Sequence, residues 1–184
     1  MSDDWPKVKG RRTTKLSPWA NIIEREIEFT PGGKPEIYHA VGQPDYIAML
    51  AVTPDGTIPI VRQYRPALES FTWELPAGTV DDGETANTAA ARELMEETGY
   101  PALKVHTLGT FAPCSGRLAN KVHSFFIEAG EKVADRSPEA GIEVRLVTPA
   151  GLANIIKAGK FDSQQHLGTL MLARLHGLLD LPIA

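Results

Sequence analysis

Glu93, Glu96 and Glu97 crowd into one helical turn at the end of GTVDDGETANTAAARELMEETGY, residues 78–100. At about 100° per residue, the three carboxylates share roughly a third of the helix circumference. Like charges three and four residues apart repel, and carboxylates in the last turns also face the negative end of the helix dipole. Arg92 can reach Glu84 or Glu96, but one guanidinium does not neutralise the whole cluster. An oxygen-only set of this kind suits a hard divalent cation. Mg2+, with Mn2+ as the alternative, binds a few carboxylates while keeping waters and substrate phosphates in its shell. Three glutamates taken alone read more simply as a solvated acidic face, so the surrounding pattern has to decide.

The elements that must carry this cluster follow from the neighbouring residues. Asp81, Asp82 and Gly83 predict a turn, Thr85 an N-cap, and Gly99 with Pro101 a helix end. The carboxylate arc also carries Ala86, Ala89 and Ala90, so another stretch of backbone can come close, and the one around Gly78 is nearest. Ala91, Leu94 and Met95 are expected to face the core. Upstream, residues 24–29 and 36–41 alternate polar and apolar around TPGGKP and predict a hairpin. The apolar run at 46–52, the turn TPDG and the strand at 57–64 predict a second one. Further strands are expected at 71–75, 103–111, 121–129 and 142–147, then helices at 149–157 and 162–178. Strands, one helix, strands and closing helices describe a mixed sheet between helices. A dinucleotide-binding GxGxxG and a phosphate-binding GxxxxGK[ST] are both missing from the sequence.

Gly78, Glu84, Arg92-Glu93-Leu94, Glu96-Glu97, Gly99 and Tyr100 stand at spacings that resemble the signature of the Nudix hydrolases. The resemblance implies an α/β/α sandwich with a mixed sheet, here with a small N-terminal antiparallel β-hairpin layer. It also implies Mg2+-dependent hydrolysis of a nucleoside diphosphate linked to another moiety. Glu93 and Glu97 would be the principal metal ligands, Glu96 a supporting and catalytic one, and the backbone carbonyl of Ala77 another. Glu84 and Arg92 would lock loop to helix. VRQYRPALESFTWELPAG at 61–78 resembles the subgroup that hydrolyses ADP-ribose and related nucleoside diphosphate sugars. That implies diphosphate contacts from Arg65, then Arg62, with Glu74 close to the metal. The same resemblance implies a homodimer built through residues 1–43, a tail and hairpin, with the catalytic domain at 44–184. Trp19 and Tyr38 would stack on the base. In the loop ADRSPEAGIEV, Glu139 would be the catalytic base and Glu143 the second choice, while Arg117 would reach a phosphate or sugar. Pro113 resembles a proline associated with ADP-ribose specificity.

Composition narrows the alternatives. A net charge of −4, from 19 basic and 23 acidic residues, argues against binding nucleic acid by bulk electrostatics. The basic run KVKGRR at 7–12 reads as a solvated tail. No window approaches a membrane span, and the polar N-terminus lacks a signal peptide's apolar core, so a cytoplasmic protein is expected. Cys114 has no second thiol to pair with, and the five histidines show no ligand spacing. The expected reaction cleaves ADP-ribose or a similar nucleotide sugar to a nucleoside monophosphate and a sugar phosphate. The alternatives are hydrolysis of another nucleotide such as GDP-mannose, and a domain that only senses ADP-ribose.

Overall fold

Strand β4 (Tyr46–Val52) is apolar at nearly every position because both of its faces are covered. Side chains alternate across a strand. Ile47, Met49 and Ala51 therefore pack with Ala89, Ala90 and Leu94 of helix α1 (Ala86–Thr98), while Leu50 joins a second cluster with Leu170 and Ala173 of helix α3 (Gln164–Leu175). This sheet, sandwiched between helices, is the frame of the computed structural model, which describes residues 5–182. The first four residues of the polar N-terminus lie outside the described residues.

The chain divides into two units. The larger comprises residues 46–111 and 122–184 and contains two sheets. One runs β7 (Ala77–Thr79), β4, β9 (Val122–Ala129), β8 (Ala102–Phe111); β4 and β9 are parallel, with Met49 opposite Phe125, and the other pairs are antiparallel. The other is antiparallel, with β5 (Ile58–Arg65) between β10 (Glu143–Val147) and β6 (Ser70–Glu74). Helix α2 (Pro149–Lys157) places Leu152 in the cluster of Leu50, Ile58 and Ile60.

Two expectations are corrected in this unit. β4 and β5 are not hairpin partners. The turn between them forms, with Thr53 N–H donating to the Thr57 carbonyl at 2.9 Å. But both edges of β4 are taken by β7 and β9, so β5 pairs elsewhere. On α1 the buried positions are Ala89, Ala90, Leu94, Glu97 and Thr98, whereas Ala91 and Met95 are only half-buried. The core thus takes the small-residue side of the helix, because β4 and β7 approach it there, and Glu97 goes in with it.

The smaller unit comprises residues up to 45 and 112–121. Its sheet has three strands, β1 (Lys7–Ser17), β2 (Ala20–Glu28) and β3 (Glu36–Gly42), all antiparallel. The β2–β3 hairpin matches the sequence reading. The stretch read as a tail instead forms β1, held by the ladder and by ion pairs of Arg12 with Glu24 and of Lys9 with Glu28 at 3.0 Å. Residues 112–121 were expected in the larger domain. They join the smaller unit because Val41 bonds both ways to them, its N–H to the Arg117 carbonyl at 2.8 Å and its carbonyl to the Ala119 N–H at 2.9 Å.

Candidate active site

Helix α1 starts at Thr85, whose hydroxyl accepts from the Thr88 N–H, and ends at Gly99 with φ +78°. Those two caps fix where the acidic turn falls. The turn is met by β7, and the approach is close: a Cβ on Gly78 would lie 2.2 Å from the Glu93 carboxyl carbon, so that Glu93 would have to move. Next to it, the Ala77 N–H donates to Glu97 Oε2 at 3.0 Å.

Arg92 does more than the sequence suggested. Its Nε and Nη2 donate to the two Glu84 oxygens at 3.1 and 3.0 Å, locking loop to helix. Nη2 also donates to the Thr79 carbonyl at 3.2 Å, and Nη1 reaches Glu93 at 2.8 Å and Glu96 at 3.1 Å. One guanidinium therefore serves three carboxylates, and those contacts raise its own pKa, with Glu84 the largest contributor. Glu84 is held below the usual carboxylate range by the same bond.

The compensation does not extend to Glu97. Burial pushes its carboxyl up to about 8, against the Ala77 N–H bond, and the charges of Glu93 and Glu139 add to the rise. Glu93 is also raised by burial, despite Arg92. The donors are all oxygen, and Glu97 bonds a backbone N–H and not the Arg92 guanidinium, which fits a hard divalent cation. Among the described residues no three His, Cys, Asp or Glu side chains converge as ready-made metal ligands. Glu93 and Glu96 lean on Arg92 instead.

Beside this turn, Arg65 at the end of β5 forks onto Glu74 at the end of β6, Nε to Oε1 at 2.8 Å and Nη2 to Oε2 at 2.6 Å. Burial would raise Glu74, but the bonds from Arg65 and Thr72 outweigh it and hold the pKa down. The Arg65 side chain stays 38% exposed while Glu74 is 7% exposed, so the guanidinium has a face toward solvent. Glu97 contributes to keeping Arg65 charged, so the two groups share one field.

Glu139 is exposed, and its N–H donates to the Glu96 carbonyl at 3.0 Å, which brings it to the end of α1. Glu143 lies opposite Arg62 across β10 and β5, and the two pair at 3.2 Å while Arg62 covers the Phe71 ring. In the smaller unit, Tyr38 donates to the Gly116 carbonyl and receives Arg117 Nη1 at 3.2 Å. They line a groove of about 370 Å³ together with Ile22, Ile37 and His39. Trp19 is 66% exposed in the β1–β2 turn, several residue pairs along the sheet from Tyr38. Sequence reasoning passed over Thr72 and His166, both in contact with the Arg65–Glu74 pair. Thr72 carried a signal, the same-face position two residues before Glu74. His166 carried none, being 91 residues from its partner Leu75.

Residues 43–166 match the NUDIX domain family, and the chain belongs to that family. It is 41% identical over 108 residues to the ADP-ribose pyrophosphatase of Bacillus subtilis, an alignment covering 59% of this chain and 58% of that protein. A CMP-5'-(N-acetyl-N-hydroxy-3-aminopropyl)phosphonate hydrolase of Streptomyces rubellomurinus is 29% identical over 178 residues, 95% of this chain and 85% of that one. The crystal structure of an ADP compounds hydrolase superposes with a TM-score of 0.75 at 19% identity, covering 97% of this chain and 100% of that chain. The mixed α/β fold is thus that of the family.

Proposed function

We propose that the chain hydrolyses the diphosphate bond of ADP-ribose or a related nucleoside diphosphate sugar, giving a nucleoside monophosphate and a sugar phosphate, with Mg2+ as the cation. The observation that carries this is the Gly78 approach to Glu93 with the Glu84–Arg92 lock beside it, which brings the acidic turn of α1 against β7. The 41% identity to an ADP-ribose pyrophosphatase supports the substrate class.

Glu93 and Glu97 would hold the cation, with Glu96 supporting and the Ala77 carbonyl completing the set. When bound, the cation neutralises the diphosphate and lowers the pKa of a water. Arg65, held by Glu74, presents its solvent-facing edge to the diphosphate. Glu139, placed by its backbone bond to Glu96, receives the proton of the attacking water. Glu143 and Arg62 already satisfy each other, so they hold secondary roles. In the smaller unit, Tyr38 and Arg117 frame a groove within the size range of small-ligand clefts, and Trp19 offers a stacking surface.

The dimer reading rests on the exposed apolar side chains of the smaller unit, among them Leu16, Trp19, Phe29 and Ile37. No described helix is long and apolar enough to cross a membrane, and the acidic composition suits a cytoplasmic nucleotide enzyme. A second reading, a nucleotide joined to a phosphonate, is favoured by the alignment spanning 95% of this chain.

Incubation with Mg2+ and a panel of nucleoside diphosphate sugars, nucleoside triphosphates and a CMP-linked phosphonate, with products identified by mass, tests the assignment. ADP-ribose turned over fastest, to AMP and ribose phosphate, is the expected result. ADP-ribose binding without turnover of any compound would make the chain a sensor instead.

A further inference from the structure

Leu75 is fully buried and leaves the β6 ladder, so its N–H has no strand partner to donate to. A buried N–H without an acceptor is costly. The residue that satisfies it is His166 in the first turn of α3, whose Nδ1 accepts at 3.2 Å. That ring is 5% exposed, stands edge-on to Phe161, and has Nδ1 3.9 Å from Glu74 Oε2. The same imidazole thus touches the backbone immediately after Glu74 and the Glu74 carboxylate itself. Since Nδ1 accepts, the proton of the neutral ring sits on Nε2.

Glu74 in turn holds both Nε and Nη2 of Arg65, leaving Nη1 outside the fork on a side chain that is 38% exposed. An Arg–carboxylate fork fixes the guanidinium plane only if the carboxylate itself cannot swing. Thr72 restrains one Glu74 oxygen, and His166 fastens the peptide that follows Glu74. We propose that His166 is a positioning residue, which by accepting the Leu75 N–H holds Glu74 and so aims Arg65 at the diphosphate. This rests on the hydrolase reading above.

Two variants separate positioning from bulk. His166→Leu fills the space without an acceptor, and His166→Asn restores one. Hydrogen exchange at the Leu75 amide is expected to speed up at least about tenfold in His166→Leu and to stay near wild type in His166→Asn, with β9 amides unchanged in both. In ADP-ribose hydrolysis with Mg2+, His166→Leu is expected to raise KM more than it lowers kcat, for a loss in kcat/KM of roughly 10- to 100-fold. His166→Asn recovers most of it, and in an Arg65→Ala background the His166→Leu step shrinks to about twofold, because the two residues act in one chain. Equal Leu75 exchange in all three proteins overturns the proposal. So does a full multiplicative loss in the Arg65→Ala background, or an equal loss in both His166 variants that tracks their Tm. If the wild type cleaves no nucleotide on the panel, the hydrolase reading fails, and Leu75 exchange alone decides whether His166 anchors this segment.

Discussion

At the residue scale the site is a problem of charge. Arg92 satisfies Glu84, Glu93 and Glu96, and Glu97 is left with a carboxyl pushed up to about 8. Replacing Glu97 by Gln removes the carboxylate that a bound cation would call for, but keeps the acceptor for the Ala77 N–H. Turnover of ADP-ribose is expected to fall by more than about 100-fold, beyond the range for groups that merely support a metal site. Its binding, measured by calorimetry, should change far less. Unchanged turnover would remove Glu97 from the metal site. At Gly78, an added Cβ meets the end of a flexible Glu93 side chain and not a rigid wall. Gly78→Ala should therefore cost less than about 1 kcal/mol in urea unfolding, by the scale of substitutions outside a packed core. Mn2+ affinity, followed by magnetic resonance, should drop clearly. The reverse pattern, intact Mn2+ binding with a large stability loss, would mean that Gly78 serves only the fold.

At the element scale, two helices position the chemistry, α1 through its caps and α3 through His166. Thr85→Ala deletes the hydroxyl that accepts the Thr88 N–H, and about 1 kcal/mol of stability should go with it, read as a lowered urea midpoint at constant slope. Burial holds His166 down to about 4, from an ordinary 6.5. Between those values the folded state binds fewer protons than the unfolded chain. Its contribution is therefore intact above about pH 6.5 and is lost as pH falls toward 4. His166→Asn has no such titration, so its stability should fall less steeply between pH 7 and pH 5 than that of the wild type. Parallel curves would show that the imidazole can be protonated without disturbing α3.

At the scale of the whole molecule, the chain comprises two units with different surfaces. The larger buries its apolar strands between helices. The smaller is one three-stranded sheet that leaves Leu16 at 62% and Ile37 at 59% exposure. The proposed dimer would cover exposed side chains of this kind. Sedimentation should show a dimer, and Ile37→Glu should shift it toward monomer with little change in Tm. A wild-type monomer at micromolar concentration would return Trp19 and Tyr38 to roles within one chain.

The sequence by itself determined the acidic turn, its caps, nearly all the strands and the family, because periodicity, capping residues and fixed spacings are local properties. Tertiary structure decided what those residues face. It separated β4 from β5, since a strand has two edges and both were taken. It turned Ala89, Ala90 and Glu97 inward, made β1 from a charged stretch that pairs only when β2 lies beside it, and drew residues 112–121 to the smaller unit through Val41. It also brought His166 to Leu75 across 91 residues. Contacts between residues distant in sequence depend on which surfaces are left to cover once the sheets have formed, and no local pattern carries that information.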